Sequence, residues 1–286
     1  MDENATDWRA REPRAELCTD DFIAELFYRV DAVMAGVPRH PQAKLWPGEV
    51  VTLAILYALK GRGERAFYRW ADRDLRPAFP NLPDRTRLFR LFAAHRDWAA
   101  RFLADPTVFG LADSFGVEMI NTLRLGRSDR QIGRRGKCAR RWIAGVKLGV
   151  VCNCRGQVCA WDADVAMAYD ADAFGHLVGR FGDEMIVLAD GNFHKSPFHR
   201  KDYAQDPDPP NLKACPRGRW SERKLIETVF SMISGGTGSG VCALKHVTER
   251  CWANLMAHLA AAVAAFNVLV GWDPDHPRLA IARFSS

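Results

Sequence analysis

Cysteine is sparse in this chain of 286 residues: there are eight thiols, and none sits in a C-x-x-C pair. That dilution excludes a disulfide-stapled scaffold, and Cys152-x-Cys154-x4-Cys159 is not a usual zinc spacing. Free thiols in a reducing cytosol are the simpler expectation, so the chain reads as cytoplasmic. A basic, apolar leader is also missing: the start is Met1-Asp-Glu-Asn, and no secretory signal is expected. Long apolar runs are few. The one that needs a membrane check, Ala253 to Val270, carries Asn254, His258 and Asn267 and is rich in alanine. Its Leu255, Leu259, Val263, Phe266 and Val270 recur with helical period, which predicts a helix packed in a soluble core rather than a span. There is no internal repeat. The one low-complexity stretch, Gly235 to Gly240, lacks the lysine of a phosphate-binding loop and follows a helix, so it reads as a linker.

What is present is ordinary globular material, 48% apolar and 26% charged, long enough for two domains or one large one. The charge is unevenly placed. Net charge is +6, yet Arg124 to Lys147 alone holds nine basic residues against Asp129. These are Arg124, Arg127, Arg130, Arg134, Arg135, Lys137, Arg140, Arg141 and Lys147. A second cluster has Lys213, Arg217, Arg219, Arg223 and Lys224 against Glu222, which leaves the rest of the chain at −6. Local excess of this kind suits a polyanion such as DNA or RNA, because neutralised phosphates release counterions. The alternative is a solvated, arginine-rich surface. Gly126, Gly133 and Gly136 predict that the first cluster is an exposed loop.

Residues 1–105 read as a helical N-terminal domain. Phe22, Leu26, Val30 and Val33 form one apolar stripe; Pro47 opens a second helix carrying Val50, Val51, Ala54, Ile55 and Leu59, which Gly61 and Gly63 break. A third segment runs near Glu64 to Arg73. Asn81-Leu-Pro-Asp-Arg-Thr opens a fourth, with Leu88, Phe89 and Phe92 inward and Arg85, Arg87 and Arg90 outward. The set fits either a helix-turn-helix DNA reader or a plain helical bundle.

Residues 106–272 read as a second domain, followed by a tail at 273–286. Val108 to Ala112 is a short strand ending at Asp113; Trp142 to Val151 and Gln157 to Trp161 flank the turn Asn153-Cys-Arg-Gly. A helix near Ala171 to Gly179, the apolar strand Met185 to Ala189, a short strand at Leu212-Lys-Ala, and helices over Trp220 to Ile233 and Val247 to Val270 follow. This alternation predicts an α/β fold with a mixed sheet flanked by helices. Asp162, Asp164, Asp170 and Asp172 read as a solvated surface, and Pro197 argues against a metal pair of His194 and His199.

Two strands end in aspartate, Leu111-Ala-Asp113 and Leu188-Ala-Asp190, where α/β sheets place ligands. Glu227 lies on the later helix among Leu225, Ile226, Val229 and Phe230, beside or inside its buried face. A divalent cation would offset the cost of burying such a carboxylate, and three hard oxygen donors suit magnesium or manganese rather than zinc. Plainer roles remain open: a turn cap at Asp113, an Asx-turn from Asp190 to Gly191, and a Glu227–Arg223 pair one helical turn apart.

At these residues the sequence resembles the DDE transposases of bacterial insertion sequences, over about residues 80–270. The matching segments are Leu-Ala-Asp113-Ser, Val-Leu-Ala-Asp190-Gly-Asn-Phe and Arg-Lys-Leu-Ile-Glu227-Thr-Val-Phe-Ser, spaced by 77 and 37 positions, with Gly145-Val-Lys147 before the hairpin. The helical signature of many members runs Tyr, Arg, Glu, Lys; here it reads Trp220, Arg223, Glu227, Ser234. The resemblance implies a ribonuclease H-like catalytic core in which Asp113, Asp190 and Glu227 hold Mg2+ (or Mn2+). It also implies cutting of double-stranded DNA at transposon ends, joining of the 3′ hydroxyl to target DNA, and a homodimer bridging two ends. Arg134, Arg135, Lys137, Arg140, Arg141, Arg217, Arg219 and Arg223 are the candidate DNA contacts. No membrane is involved. Two alternatives stay open: a decayed or domesticated transposase that binds DNA without cutting it, and a nuclease without strand transfer.

Overall fold

A computed structural model describes residues 19–129, 131–138, 141–195, 207–215, 220–234, 242, 244 and 246–272, without the side chains of residues 122 and 220–223. Helix α1 spans Thr19–Met34 and buries Phe22, Leu26 and Val30 as its period predicts, but Met34 rather than Val33 completes the stripe; Val33 is exposed. Helix α2, Pro47–Lys60, begins at the expected proline and ends at Gly61, whose φ of 57° is the left-handed cap that glycine adopts without a Cβ clash. The Glu49 carboxylate accepts the Trp46 N–H at 2.6 Å, satisfying a donor left orphaned at that helix start. Helix α3 covers Glu64–Trp70 and continues as one π turn, Ala71–Leu75. Helix α4, Arg85–Ala94, is capped by Asp84, whose Oδ1 accepts from Arg87 N at 3.0 Å; Leu88, Phe89 and Phe92 point inward.

The remainder is a mixed, curled sheet flanked by helices. Its strands are β1 (Phe109–Ile120), β2 (Arg134–Cys138), β3 (Arg141–Asn153), β4 (Val158–Val165), β5 (Ile186–Ala189) and β6 (Leu212–Ala214). Helices α5 (Asp170–Gly179), α6 (Trp220–Ser234) and α7 (Trp252–Trp272) complete the set. The long β3 pairs antiparallel with β1 on one edge. On its other side β2 takes residues 141–145 and β4 takes residues 146–152. β5 lies parallel to β1, and β6 parallel to β5. The hairpin turn is as expected, with the Asn153 side-chain oxygen accepting from Arg155 N and Gln157 N, both at 3.0 Å.

The two faces of the sheet are covered differently. Ala112, Val151 and Ala189 pack with Phe174, Leu177 and Val178 of α5. Gly149 is needed here, because a Cβ on it would come within 2.4 Å of the Phe174 ring. The opposite face, with Val117, Val146, Leu148 and Val150, packs against α6 and α7 in a core that continues into α1, α2 and α4. That core therefore runs across residue 105, and α7 is its central column.

By length and composition α7 is apolar enough to cross a membrane, yet its apolar window is 72% buried inside the protein. A helix that is apolar all round belongs in the interior. The three polar residues within it are all engaged. Asn267 Oδ1 accepts from Val158 N, and its Nδ2 donates to the carbonyls of Phe102 and Val158, each at 2.8 Å. Asn254 donates to Glu64 at 3.0 Å, and His258 pairs with Glu249. The seven described cysteines are free. Burial pushes the Cys152 thiol up to about 12 and the Cys159 thiol up to about 11, so both stay protonated, as inert core thiols do.

Candidate active site

The strand at Val108 does not end at Asp113. β1 runs on to Ile120 because β3 pairs with it all the way, Asp113 lying opposite Val150. What ends there is β5. The parallel register Leu111↔Leu188 and Ala112↔Ala189 brings Asp113 and Asp190 to the next matched positions, where β5 leaves the sheet. Adjacent strands lie roughly 4.8 Å apart, so the two half-buried aspartates stand side by side at the carboxyl end of the sheet. Beyond them, among the described residues, the β5-side edge of β1 is next met at Glu118, by a bridge to His246. Open α/β sheets place ligands beyond the carboxyl ends of their strands, which is where these two aspartates stand.

Each aspartate is held by main chain. Asp113 Oδ1 accepts from Ser114 N at 2.7 Å. Asp190 makes an Asx-turn one residue longer than the Gly191 alternative: its Oδ1 accepts from Asn192 N at 2.9 Å and its Oδ2 from Asn192 Nδ2 at 3.3 Å.

Side-chain alternation along β1 directs Leu111, Asp113 and Phe115 to one face, and α6 lies across that face. Ile226 is buried with Leu111 and Cys152, with Leu188 and Leu225 packed beside them. Further along the helix, the Phe230 ring sits 4.8 Å from that of Phe115. These two anchors fall on either side of Asp113, and Glu227 lies on the helix between them. Sequence reasoning put Glu227 beside or inside the buried face; it is exposed. The reason is angular: Ile226, Val229 and Phe230 take the inward arc, and each residue step turns the helix by about 100°. Burial therefore does not demand a counterion at Glu227. Among the described residues, no group of three or more His, Cys, Asp or Glu side chains stands ready to hold a metal ion.

The basic cluster is a loop only in its first part: residues 125–129 and 131–133 are turn and coil, with Arg127 exposed. Residues 134–138 form β2, hydrogen-bonded to the start of β3, because Gly136 lies so near the Ala166 main chain that a Cβ would collide with it. Arg134, Arg135, Lys137 and Arg141 are all exposed on this ribbon. The Arg135 guanidinium sits 4.8 Å over the Trp142 ring, which is itself exposed, and Arg141 lies 3.9 Å from Glu118. Arg130, Arg140, Arg217, Arg219, the Gly235 to Gly240 linker and the tail at 273–286 lie outside the described residues, as does the Arg223 side chain.

Two expectations need correction. Lys147 is not part of the exposed basic surface, and Asp170 is not solvated. Lys147 Nζ donates to Asp170 Oδ1 at 2.9 Å and to the Ala168 carbonyl at 2.8 Å, and Asp170 also accepts from Ser114 Oγ at 3.1 Å. The Lys147 and Asp170 side chains are 12% and 9% exposed, beneath the α5 face of the sheet directly behind Asp113. A lone lysine within the apolar run of β3 was the available signal, since such a charge is buried only with a partner. His194, set aside as a metal ligand, instead pairs through Nδ1 with Asp208 at 3.0 Å; its carbonyl accepts from Tyr169 at 2.8 Å. Burial, with Asp172 and Asp170 next in importance, raises the Tyr169 phenol above its ordinary range.

Comparison with protein-family models, with curated proteins and with solved structures finds no match to this chain.

Proposed function

We propose that the chain is a DDE transposase with a ribonuclease H-like core, acting on double-stranded DNA through Asp113, Asp190 and Glu227. The observation that carries this reading is the parallel register that leaves Asp113 and Asp190 adjacent where β5 departs, with the helix of Glu227 packed across the same face. A mixed sheet flanked by helices, with β2, β3, β1 and β4 joined antiparallel and β5 and β6 parallel to β1, is compatible with this reading. The donor set is all carboxylate oxygen, which suits Mg2+ or Mn2+.

In the reaction, Asp113 and Asp190 would supply the fixed donors, held by their Ser114 and Asn192 contacts, and Glu227 would complete the set from α6. Mg2+ held there would activate the attacking oxygen, of water in cleavage and of a 3′ hydroxyl in strand transfer, and stabilise the leaving one. The ribbon residues Arg134, Arg135, Lys137 and Arg141 would grip phosphates and set the register of the duplex without reading sequence. Arg140, Arg217, Arg219 and Arg223 belong to the same proposed contact set. A homodimer bridging two ends follows from the family reading.

The test uses labelled linear DNA carrying the sequence that flanks this reading frame, a supercoiled target plasmid and Mg2+. Joined products that vanish in Asp113→Asn and Asp190→Asn, with DNA binding retained, are the expected result. Nicks alone indicate the nuclease; shifted but uncut DNA indicates the non-catalytic binder. The exposed position of Glu227 and Ser234 at the signature lysine position are what favour that last reading.

A further inference from the structure

A cavity of about 110 Å³ opens between the α1–α2 connection, α4 and the turn that follows it. Arg39, Lys44 and Arg87 line it, with His40, His95 and Trp98; Leu45 and Leu91 form an apolar floor. No carboxylate lines it. Two nearby carboxylates are turned to main chain: Glu49 accepts the Trp46 N–H, and Asp84 accepts the Arg87 N–H. Lys44 and Arg87 are exposed and make no ion pair among the described residues. Arg39 is oriented, its Nε donating to the Ala43 carbonyl at 2.9 Å and its guanidinium lying 4.6 Å over the Trp46 ring. One wall is a stacked pair, His95 and Trp98, with ring centroids 4.0 Å apart and planes 17° apart. Burial holds the His95 imidazole below its ordinary range, so this wall is neutral and aromatic while the charge comes from the other side.

A concave site with three cations, a flat aromatic wall and an apolar floor has two recognition elements in one place. The cations attract an anion of phosphate type, and the wall and floor favour a planar ring system. We propose that this open cleft, too small to enclose a whole nucleotide, seats one nucleotide unit across its mouth, with the phosphate among Arg39, Lys44 and Arg87 and the base against Trp98 and His95. The site is separate from the carboxylates of β1 and β5 and does not depend on their catalytic role. Two sources carry the same chemistry, a free mononucleotide and an unpaired nucleotide at a DNA strand end.

Calorimetric titration of the full chain with dAMP, deoxyadenosine and inorganic phosphate tests the assignment. The expected result is that dAMP binds at least tenfold more tightly than either half alone. Lys44→Ala with Arg87→Ala, both at exposed positions, should weaken dAMP at least tenfold, and Trp98→Leu should do the same, with Trp98→Phe restoring much of it. Far-UV circular dichroism checks that each variant is folded. Competition by an oligonucleotide with an unpaired 5′-phosphorylated end identifies the strand as source; displacement by mononucleotide alone identifies the free species. No dAMP binding, or dAMP binding insensitive to both substitutions, overturns the proposal. Phosphate binding as tight as dAMP overturns the nucleotide class. Asp113→Asn separates this outcome from the catalytic one, since it should leave dAMP affinity unchanged even where cutting is lost.

Discussion

Replacing Glu249 by glutamine should cost about 3 kcal/mol, because one carboxylate oxygen joins three parts of the helical core. Tyr57 of α2 donates to Glu249 Oε1 at 2.8 Å, and His258 of α7 pairs with the same oxygen. The exposures are 4% for Tyr57, 8% for Glu249 and 6% for His258, so water cannot substitute for a lost partner. Glutamine keeps a carbonyl oxygen that can accept from both Tyr57 and His258, but it loses the charge of an ionic hydrogen bond and puts an amide donor where the buried Glu249 Oε2 has no partner among the described residues, at about 1–3 kcal/mol. At roughly 2–4 °C per kcal/mol for a chain of this size, Tm should fall by about 6–12 °C. Urea unfolding followed by circular dichroism at pH 7 measures it, and a Glu249/His258 double-mutant cycle should return a coupling above about 1 kcal/mol. The pH dependence has a fixed sign. Burial raises the Glu249 carboxyl, but the hydrogen bond and charge of His258, helped by Tyr57, outweigh it and hold it below its ordinary value. Its contribution is therefore fully present above its unfolded value and is lost as pH falls through the lower folded one. The wild type should lose stability on acidification below about pH 4.5 more steeply than the glutamine variant. A Glu249→Gln stability within about 0.5 kcal/mol of wild type, with unchanged acid slope, would refute the reasoning.

Three further outcomes follow from the same geometry. Replacing Arg135, Lys137 and Arg141 together by alanine should reduce the slope of log binding constant against log salt by about 2.7, if each contacts one phosphate; filter binding from low to moderate salt reads it. Lys147→Met should destabilise by about 3–5 kcal/mol by leaving Asp170 buried without its cation, whereas Lys147→Met with Asp170→Leu should recover most of the loss in thermal unfolding. Asn267→Ala should cost about 2–4 kcal/mol, since it strips partners from Val158 N and from the Phe102 and Val158 carbonyls, and amide exchange should speed first at the start of β4.

Local signals carried much of the fold. Proline at 47, glycine at 61, the opening of the fourth helix within Asn81-Leu-Pro-Asp-Arg-Thr and the inward trio Leu88, Phe89 and Phe92 are decided within one or two helical turns, and all stand where the chain alone predicts. The hairpin at Asn153 and the apolar strand before Asp190 are equally local. So is the reading of α7 as an interior helix, because its apolar period and its asparagines lie within the same segment.

Contacts between distant segments decided the rest. Asp113 and Asp190 each mark a strand on their own, but their adjacency comes from the parallel pairing of β1 with β5. Glu227 turned outward because packing of Ile226 and Phe230 set the rotation of α6, which the mixed pattern around it leaves free by a step. Residues 134–138 of the basic segment became a ribbon by pairing with β3, with Gly136 allowing the close approach to Ala166, and Lys147 found Asp170 across 23 residues. Tyr57 and Glu249 meet across 192. Composition and period act over neighbouring residues, whereas which buried charges and strands become neighbours depends on the packing of the whole chain, and a single sequence carries no local trace of that choice.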